Sequence, residues 1–362
     1  MRAKKMIVIG IIIIAIIAVA ALTTVIFSKP ILTAIATNTV KQRFISQSQK
    51  WDDGLYAGMA GTGGPFPDIN RAGPCTVVMA GDHLYIVDVG QGSARNVALM
   101  GFQIGKVDVV LLTHFHSGHI ADLGEFMLQR WAGGSNTKPL DVIGPTGVET
   151  VVAGFNQAYS LDDGYRVAHH GAATVPPSGA GGTARPFSLS PEEDASVVVV
   201  DEGGLKITAF KVNHAPVSPA VGYRFDYKGR SLVLSGDTVP SPSLKKRSQG
   251  VDVLVHDAMQ VSMIKILHDL AGYSPSPSLA KITADIPSYH TTPEDAAKIA
   301  QEAGVRQLVY YHISPPIPNP ILNNVFMGDA PKYYNGPIVI GTDGLLIYMP
   351  PYSDKIVISN TL

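Results

Sequence analysis

Three histidines lie within six residues in the run Thr113-His114-Phe115-His116-Ser117-Gly118-His119. Neutral imidazole is a common ligand for zinc, and a cluster this dense after a buried segment points to a metal site. Residues 107–113 form a continuous apolar run that reads as a strand, and residues 120–130 read as a helix. The histidines therefore sit at a strand-to-helix junction. Two histidines at i and i+2 face one side while the backbone turns, and a third, three residues on, reaches a neighbouring position. Two distant segments repeat the arrangement. Ser235-Gly236-Asp237-Thr238 places a carboxylate at the end of a strand over 231–235, and Tyr310-Tyr311-His312 places a histidine at the end of a strand over 308–311. Strand ends gather at one edge of a sheet system, so these segments can converge. Cys75 is the single cysteine, which rules out an intramolecular disulfide and a multi-thiolate metal site.

The elements that must carry these residues alternate between strand and helix patterns. Strands are expected over 76–80, 84–89, 140–143, 195–201, 205–213, 220–227 and 251–256. Helices are expected over 93–100 and over 292–303. The second has Thr291 or Thr292 as its cap, Pro293 in its first turn, and Glu294 and Asp295 at its positive end. Residues 171–192 are rich in Gly, Pro, Ala and Ser and read as an irregular surface insertion. Alternation of this kind favours an α/β fold with sheets covered by helices.

At the other end of the chain, Arg2, Lys4 and Lys5 precede an uncharged apolar run over 6–27, broken only by Gly10, Thr23 and Thr24. As a helix this run would be about 33 Å long, enough to cross a bilayer. A signal peptide with Ala18-Val19-Ala20 near its cleavage point is the alternative. The expected organisation is an anchor or signal over 1–28, a linker over 29–50, and one catalytic domain over 51–362 with an insertion at about 154–192. The body is expected to be exported, with the membrane as a partner through this helix.

These motifs resemble the metallo-β-lactamase fold superfamily, and within it the ribonuclease Z-like and arylsulfatase-like branch. The matching segments are Gly61-Thr62-Gly63-Gly64-Pro65, Ile86-Val87-Asp88-Val89-Gly90-Gln91-Gly92, the histidine run, Val212-Asn213-His214, Ser235-Gly236-Asp237-Thr238, Tyr289-His290-Thr291-Thr292 and His312. The resemblance implies an αββα sandwich with two zinc ions. His114, His116 and His214 would hold the first, Asp237 would bridge, and His119 and His312 would hold the second. It also implies that His290 stabilises or protonates the reacting group and that Asp88 supports the ligands from behind. His256-Asp257 reads as supporting or structural, and His169-His170 as pocket wall or surface.

One position departs from the family pattern, His-x-His-x-Asp-His: Gly118 stands where the aspartate ligand belongs. Asp122 lies a turn further on and is poorly placed to substitute. The second zinc is therefore expected to bind weakly. The implied activity is hydrolysis of a small ester, arylsulfatase- or phosphodiesterase-like, by a metal-bound hydroxide. One alternative is a non-catalytic or inactivated protein of this fold acting as a binding module, and another is a ribonuclease Z-like nuclease. Two observations weigh against nucleic acid. The 28 basic and 29 acidic residues nearly cancel, and the RNA-gripping arm expected after His214 is absent.

Overall fold

Strands that are apolar on both faces need cover on both sides, and this chain provides it with two sheets packed face to face and helices outside them. The computed structural model describes residues 2–47, 51–271 and 277–362. The first half supplies β1 (Leu55–Gly61), β2 (Cys75–Ala80), β3 (His83–Val87), β4 (Val109–Leu111), β5 (Leu140–Pro145) and β6 (Gly182–Phe187). The second supplies β7 (Ser196–Glu202), β8 (Leu205–Lys211), β9 (Val221–Tyr227), β10 (Arg230–Leu234), β11 (Val253–Met259), β12 (Gln307–Ser314) and β13 (Ile338–Ile340). Finally β14 (Leu345–Met349) and β15 (Val357–Asn360) return to the first sheet. The strand orders are β15-β14-β1-β2-β3-β4-β5-β6 and β13-β12-β11-β10-β9-β8-β7.

Side-chain alternation divides the apolar residues among three layers. Tyr85 and Val87 of β3 point inward with Leu111, Tyr223, Leu232, Val253, Val255 and Val309 to fill the space between the sheets. Leu84 and Ile86, the alternate residues of β3, face outward with Val97, Phe126 and Met127 under helices. The helices here are α2 (Ser93–Leu99), α3 (Ser117–Ile120), α4 (Leu123–Gly134) and α5 (Val148–His170) beside the first sheet. The second half adds α6 (Pro242–Arg247), α7 (Val261–Ala271), α8 (Pro277–Asp285) and α9 (Pro293–Ala303). Leu254 of β11 meets Ala296, Ala297 and Ala300 of α9 on the outer face of the second sheet. The α9 start signal works as the sequence indicates: the Thr292 hydroxyl accepts from the Asp295 amide at 3.1 Å.

Residue 1 and residues 48–50 of the expected linker lie outside the described residues, and helix α1 (Arg2–Gln47) forms a unit separate from residues 51–362. Its segment Ile11–Lys41 is long and apolar enough to cross a membrane, by length and composition. The linker expected over 29–50 instead continues this helix through residue 47, with Pro30 inside it. The insertion also differs from its expectation. Residues 148–170 form one helix, and residues 182–187 pair with β5 from Leu140↔Gly182 to Pro145↔Phe187. A segment poor in large apolar residues reads as coil, yet an edge strand needs backbone pairing more than side-chain burial. Trp131, fully buried against Leu128 and Val175, secures the segment by donating its indole N–H to the Pro176 carbonyl at 2.7 Å.

Parallel pairing brings the functional ends together. β3 runs parallel to β4, and β10, β11 and β12 run parallel to one another. Their C-terminal ends open on one edge. The loop after β1 closes that edge through Thr62 and Gly64, which exchange backbone hydrogen bonds with Ile313 next to His312. Asp343 holds this loop: its carboxylate accepts from the Thr62 amide (3.0 Å), the Thr62 hydroxyl (2.8 Å), the Ala72 amide (2.6 Å) and the Asn96 side chain (2.9 Å). Sequence reading did not single out Asp343. Replacing Asp343 by Ala orphans these donors together, and unfolding in denaturant should show a loss of about 2–3 kcal/mol. A loss below about 0.5 kcal/mol, the usual range for surface positions, would show that the loop is held by other contacts.

Candidate metal centre

The strand-to-helix junction after β4 is built around Asp88, at the end of β3. Its carboxylate accepts from the Thr113 amide and the Thr113 hydroxyl, both at 2.8 Å, and pairs with His119 Nδ1 at 2.8 Å. Asp88 has a φ of 57°, in the left-handed region, and His312 has a φ of 50°. Non-glycine residues hold this conformation at a cost, and here both sit at the functional edge. Gly90 is required by contact. A Cβ there would lie 2.3 Å from the Gly73 carbonyl carbon and 2.5 Å from the Gly118 oxygen, so three backbone segments meet at a position only glycine can fill.

Two donor groups share Asp237. His114, His116, His214 and Asp237 bring one ligand atom each within 4.8 Å of one another, and so do His119, Asp237 and His312. In the first group His116 Nδ1 lies 3.0 Å from His114 Nε2 and 3.4 Å from His214 Nε2. Asp237 Oδ2 lies 3.8 Å from His114 Nε2 and 3.9 Å from His214 Nε2. Tetrahedral zinc with nitrogen ligands places donors about 3.3 Å apart, so this group fits a bound ion. In the second group Asp237 Oδ2 lies 3.3 Å from His119 Nε2 and 3.2 Å from His312 Nε2. His119 Nε2 and Asp237 Oδ1 are buried without a hydrogen-bond partner among the described residues. Buried polar atoms left bare inside a ring of donors are what a metal site requires.

Hydrogen bonds on the far sides of the rings set which nitrogen faces the site. His214 Nδ1 donates to the Tyr289 carbonyl at 2.9 Å, leaving the Nε2 lone pair free. Thr113 donates to Asp88, so its oxygen accepts from His114 Nδ1 at 3.0 Å, which frees His114 Nε2. Asp88 likewise takes the Nδ1 proton of His119. The ring charges follow the same logic. Burial lowers the pKa of His114, His116 and His214, and neighbouring histidines lower His114 and His116 further. Burial takes His312 down to about 3. For His119 burial also acts downward, but the Asp237 and Asp88 carboxylates reverse it and raise the value to about 10. Asp237 stays ionised: burial alone would raise its pKa, and the surrounding histidines hold it well below the usual carboxylate range.

His290 stands beside both groups, with ring centroids 5.2 Å from His214 and 5.1 Å from His312. Its Nδ1 pairs with Asp257 Oδ2 at 3.0 Å, and Asp257 also lies 3.0 Å from His256 Nδ1. Burial is the largest single influence on His290 and works against a charge, but the Asp257 hydrogen bond and the Asp237 and Asp257 carboxylates together outweigh it and the pKa is raised. All the residues read from sequence as ligands, together with Asp88 and His290, thus meet at one edge. Asp257 proves to be the partner of His290. His169 and His170 end α5 on an exposed surface. Sequence reading missed Tyr289, whose only local signal was its place beside His290.

Gly118 contributes no donor. It is exposed, and a Cβ there would meet nothing within 4 Å, so the backbone could carry a side chain without clash. Asp122 does not take its place, because its carboxylate accepts from the Ala94 amide at 3.1 Å. The second group therefore has three donors where the first has four.

A family profile described as "Beta-lactamase superfamily domain" matches residues 87–313. The chain is 38% identical to Ribonuclease Z of Mycolicibacterium gilvum (strain PYR-GCK), covering 71% of this chain and 83% of that protein. It is 35% identical to Ribonuclease Z of Mycobacterium bovis (strain BCG / Pasteur 1173P2), covering 79% and 95%. Among solved structures, the short form of human tRNase Z superposes with a TM-score of 0.57 at 18% identity, covering 82% of this chain and 99% of that one. The metallo-beta-lactamase fold protein YhfI from Bacillus subtilis gives 0.57 at 19%, covering 82% and 100%. At such identities these two structures speak for the fold. The curated relatives correct the expectation of a small ester and no nucleic acid. Net charge averages over a whole surface, and a missing arm removes one way of gripping RNA without touching the chemistry.

Two measurements check the centre. Zinc titration of the metal-free chain by calorimetry, with metal content read by mass spectrometry, should give one tight ion and a second that binds at least about ten-fold more weakly. Gly118→Asp should strengthen the second. Two equally tight ions in the unaltered chain would remove any handicap from Gly118. Asp88→Ala should lower zinc affinity by about 10- to 100-fold, the range for partners that orient ligands; unchanged affinity would make Asp88 a turn residue alone.

Proposed function

This chain belongs to the β-lactamase superfamily, and on that premise we propose that it is a metal-dependent ribonuclease. The observation that carries the reading is its 35–38% identity to proteins named Ribonuclease Z, over 83–95% of their lengths. The donor chemistry supports it. A phosphodiester is an anion that resists attack, and its cleavage needs charge neutralisation, an activated water and a proton for the leaving oxygen.

His114, His116, His214 and Asp237 would hold the first ion, and Asp237, His119 and His312 the second. A bound divalent ion would supply charge neutralisation and a more acidic water. The remaining work falls to the chain. Asp257 keeps His290 Nδ1 occupied, so Nε2 is the nitrogen free to act. With its pKa raised, His290 carries a proton nearer to neutral pH than an ordinary histidine. It serves to donate that proton to the leaving oxygen, or to a phosphate oxygen as charge builds. Asp88 and Thr113 orient His114 and His119, and the Tyr289 carbonyl orients His214. The stretch between His214 and Asp237 holds only the β9–β10 hairpin, so RNA contacts fall to the loops around the metal centre.

The test is cleavage of a single-stranded oligoribonucleotide and a folded transfer RNA by the zinc- or manganese-loaded chain, with DNA of the same sequence as control. RNA cleavage is expected. His290→Ala should lower kcat about 10²- to 10⁴-fold with metal content unchanged, as for loss of a general acid. Absence of RNA cleavage by both the unaltered chain and Gly118→Asp would defeat the reading.

A further inference from the structure

The side chain of Tyr289 lies beside the metal-site histidines and has no part in the chemistry above. Its carbonyl is tied to His214 Nδ1, so its backbone is fixed to a metal-site histidine. Its ring centroid lies 5.3 Å from His214 at 78° and 5.0 Å from His290. Part of the ring leans on Met259, Ile264 and Ile286, in a cluster that also takes in Phe66 from the β1–β2 loop. The residue is half-buried. The ring is therefore seated between an apolar cluster and the site histidines, nearly perpendicular to His214.

Base stacking on a fixed aromatic ring gives a hold on nucleic acid that does not depend on net charge. Resting on the ribonuclease reading, we propose that Tyr289 is a specificity-determining residue: its ring stacks on the base of a nucleotide flanking the scissile phosphate.

The test uses a short oligoribonucleotide and a set carrying a single abasic site at each position in turn. Affinity is read by fluorescence anisotropy on the full-length metal-free chain, and cleavage on the zinc-loaded chain. For the unaltered chain, one abasic position should weaken binding about ten-fold. Tyr289→Phe should keep that sensitivity. Tyr289→Leu should lose about ten-fold on the intact oligonucleotide and become insensitive at that position, with zinc content unchanged. If Tyr289→Leu weakens intact and abasic oligonucleotides equally, or no position is sensitive while the unaltered chain cleaves RNA, the stacking role is overturned and the ribonuclease reading stands. If the unaltered chain neither binds nor cleaves any of the set, the ribonuclease reading falls and the stacking role with it.

Discussion

Everything at the functional edge depends on one buried carboxylate. Asp237 Oδ2 lies within 3.2–3.9 Å of nitrogens from His114, His119, His214 and His312. Buried histidines that crowd one another cannot all be charged, and burial pushes most of them toward the neutral, ligating form. An ionised Asp237 beside the neutral imidazoles of His114, His214 and His312 is a preformed cation site, and a cation there would displace the proton that Asp237 and Asp88 hold on His119. Without Asp237 the donor groups would have no shared member and the two positions would be unconnected.

Around this carboxylate lies a framework that spends backbone strain and hydrogen bonds on orientation. Asp88, in a left-handed conformation, ties the end of β3 to Thr113 and His119. His312, also left-handed, is flanked by Ile313, which the loop after β1 holds by backbone hydrogen bonds. That loop in turn hangs on Asp343. The parallel strands bring the residues to one edge, and these polar contacts aim them.

Gly118 gives the centre its asymmetry. Its neighbours are in place and its backbone is unobstructed, so what is missing is one carboxylate and nothing of the fold. Half-buried Tyr289, seated between apolar support and the site histidines, is the residue that would meet a base if the proposed ribonuclease reading holds.

The sequence alone marked candidate ligands: for His114, His116, His119, Asp237 and His312 the signal is local, donors directly after apolar strands, while His214 entered through the family resemblance. Local signal also determined the layered α/β fold, since two-faced apolar strands separated by helix signals admit few arrangements. The strand at 182–187 escaped it because edge pairing is a backbone property that leaves little trace in composition. So did the course of residues 29–47, where polar composition hid a continuing helix. Only the tertiary structure decided which residues serve others. The pairing of Asp257 with His290, the hold of Asp343 on Thr62 and the seat of Tyr289 join positions from different elements. Contacts of that kind depend on how strands stack and loops close, and no spacing along the chain encodes them.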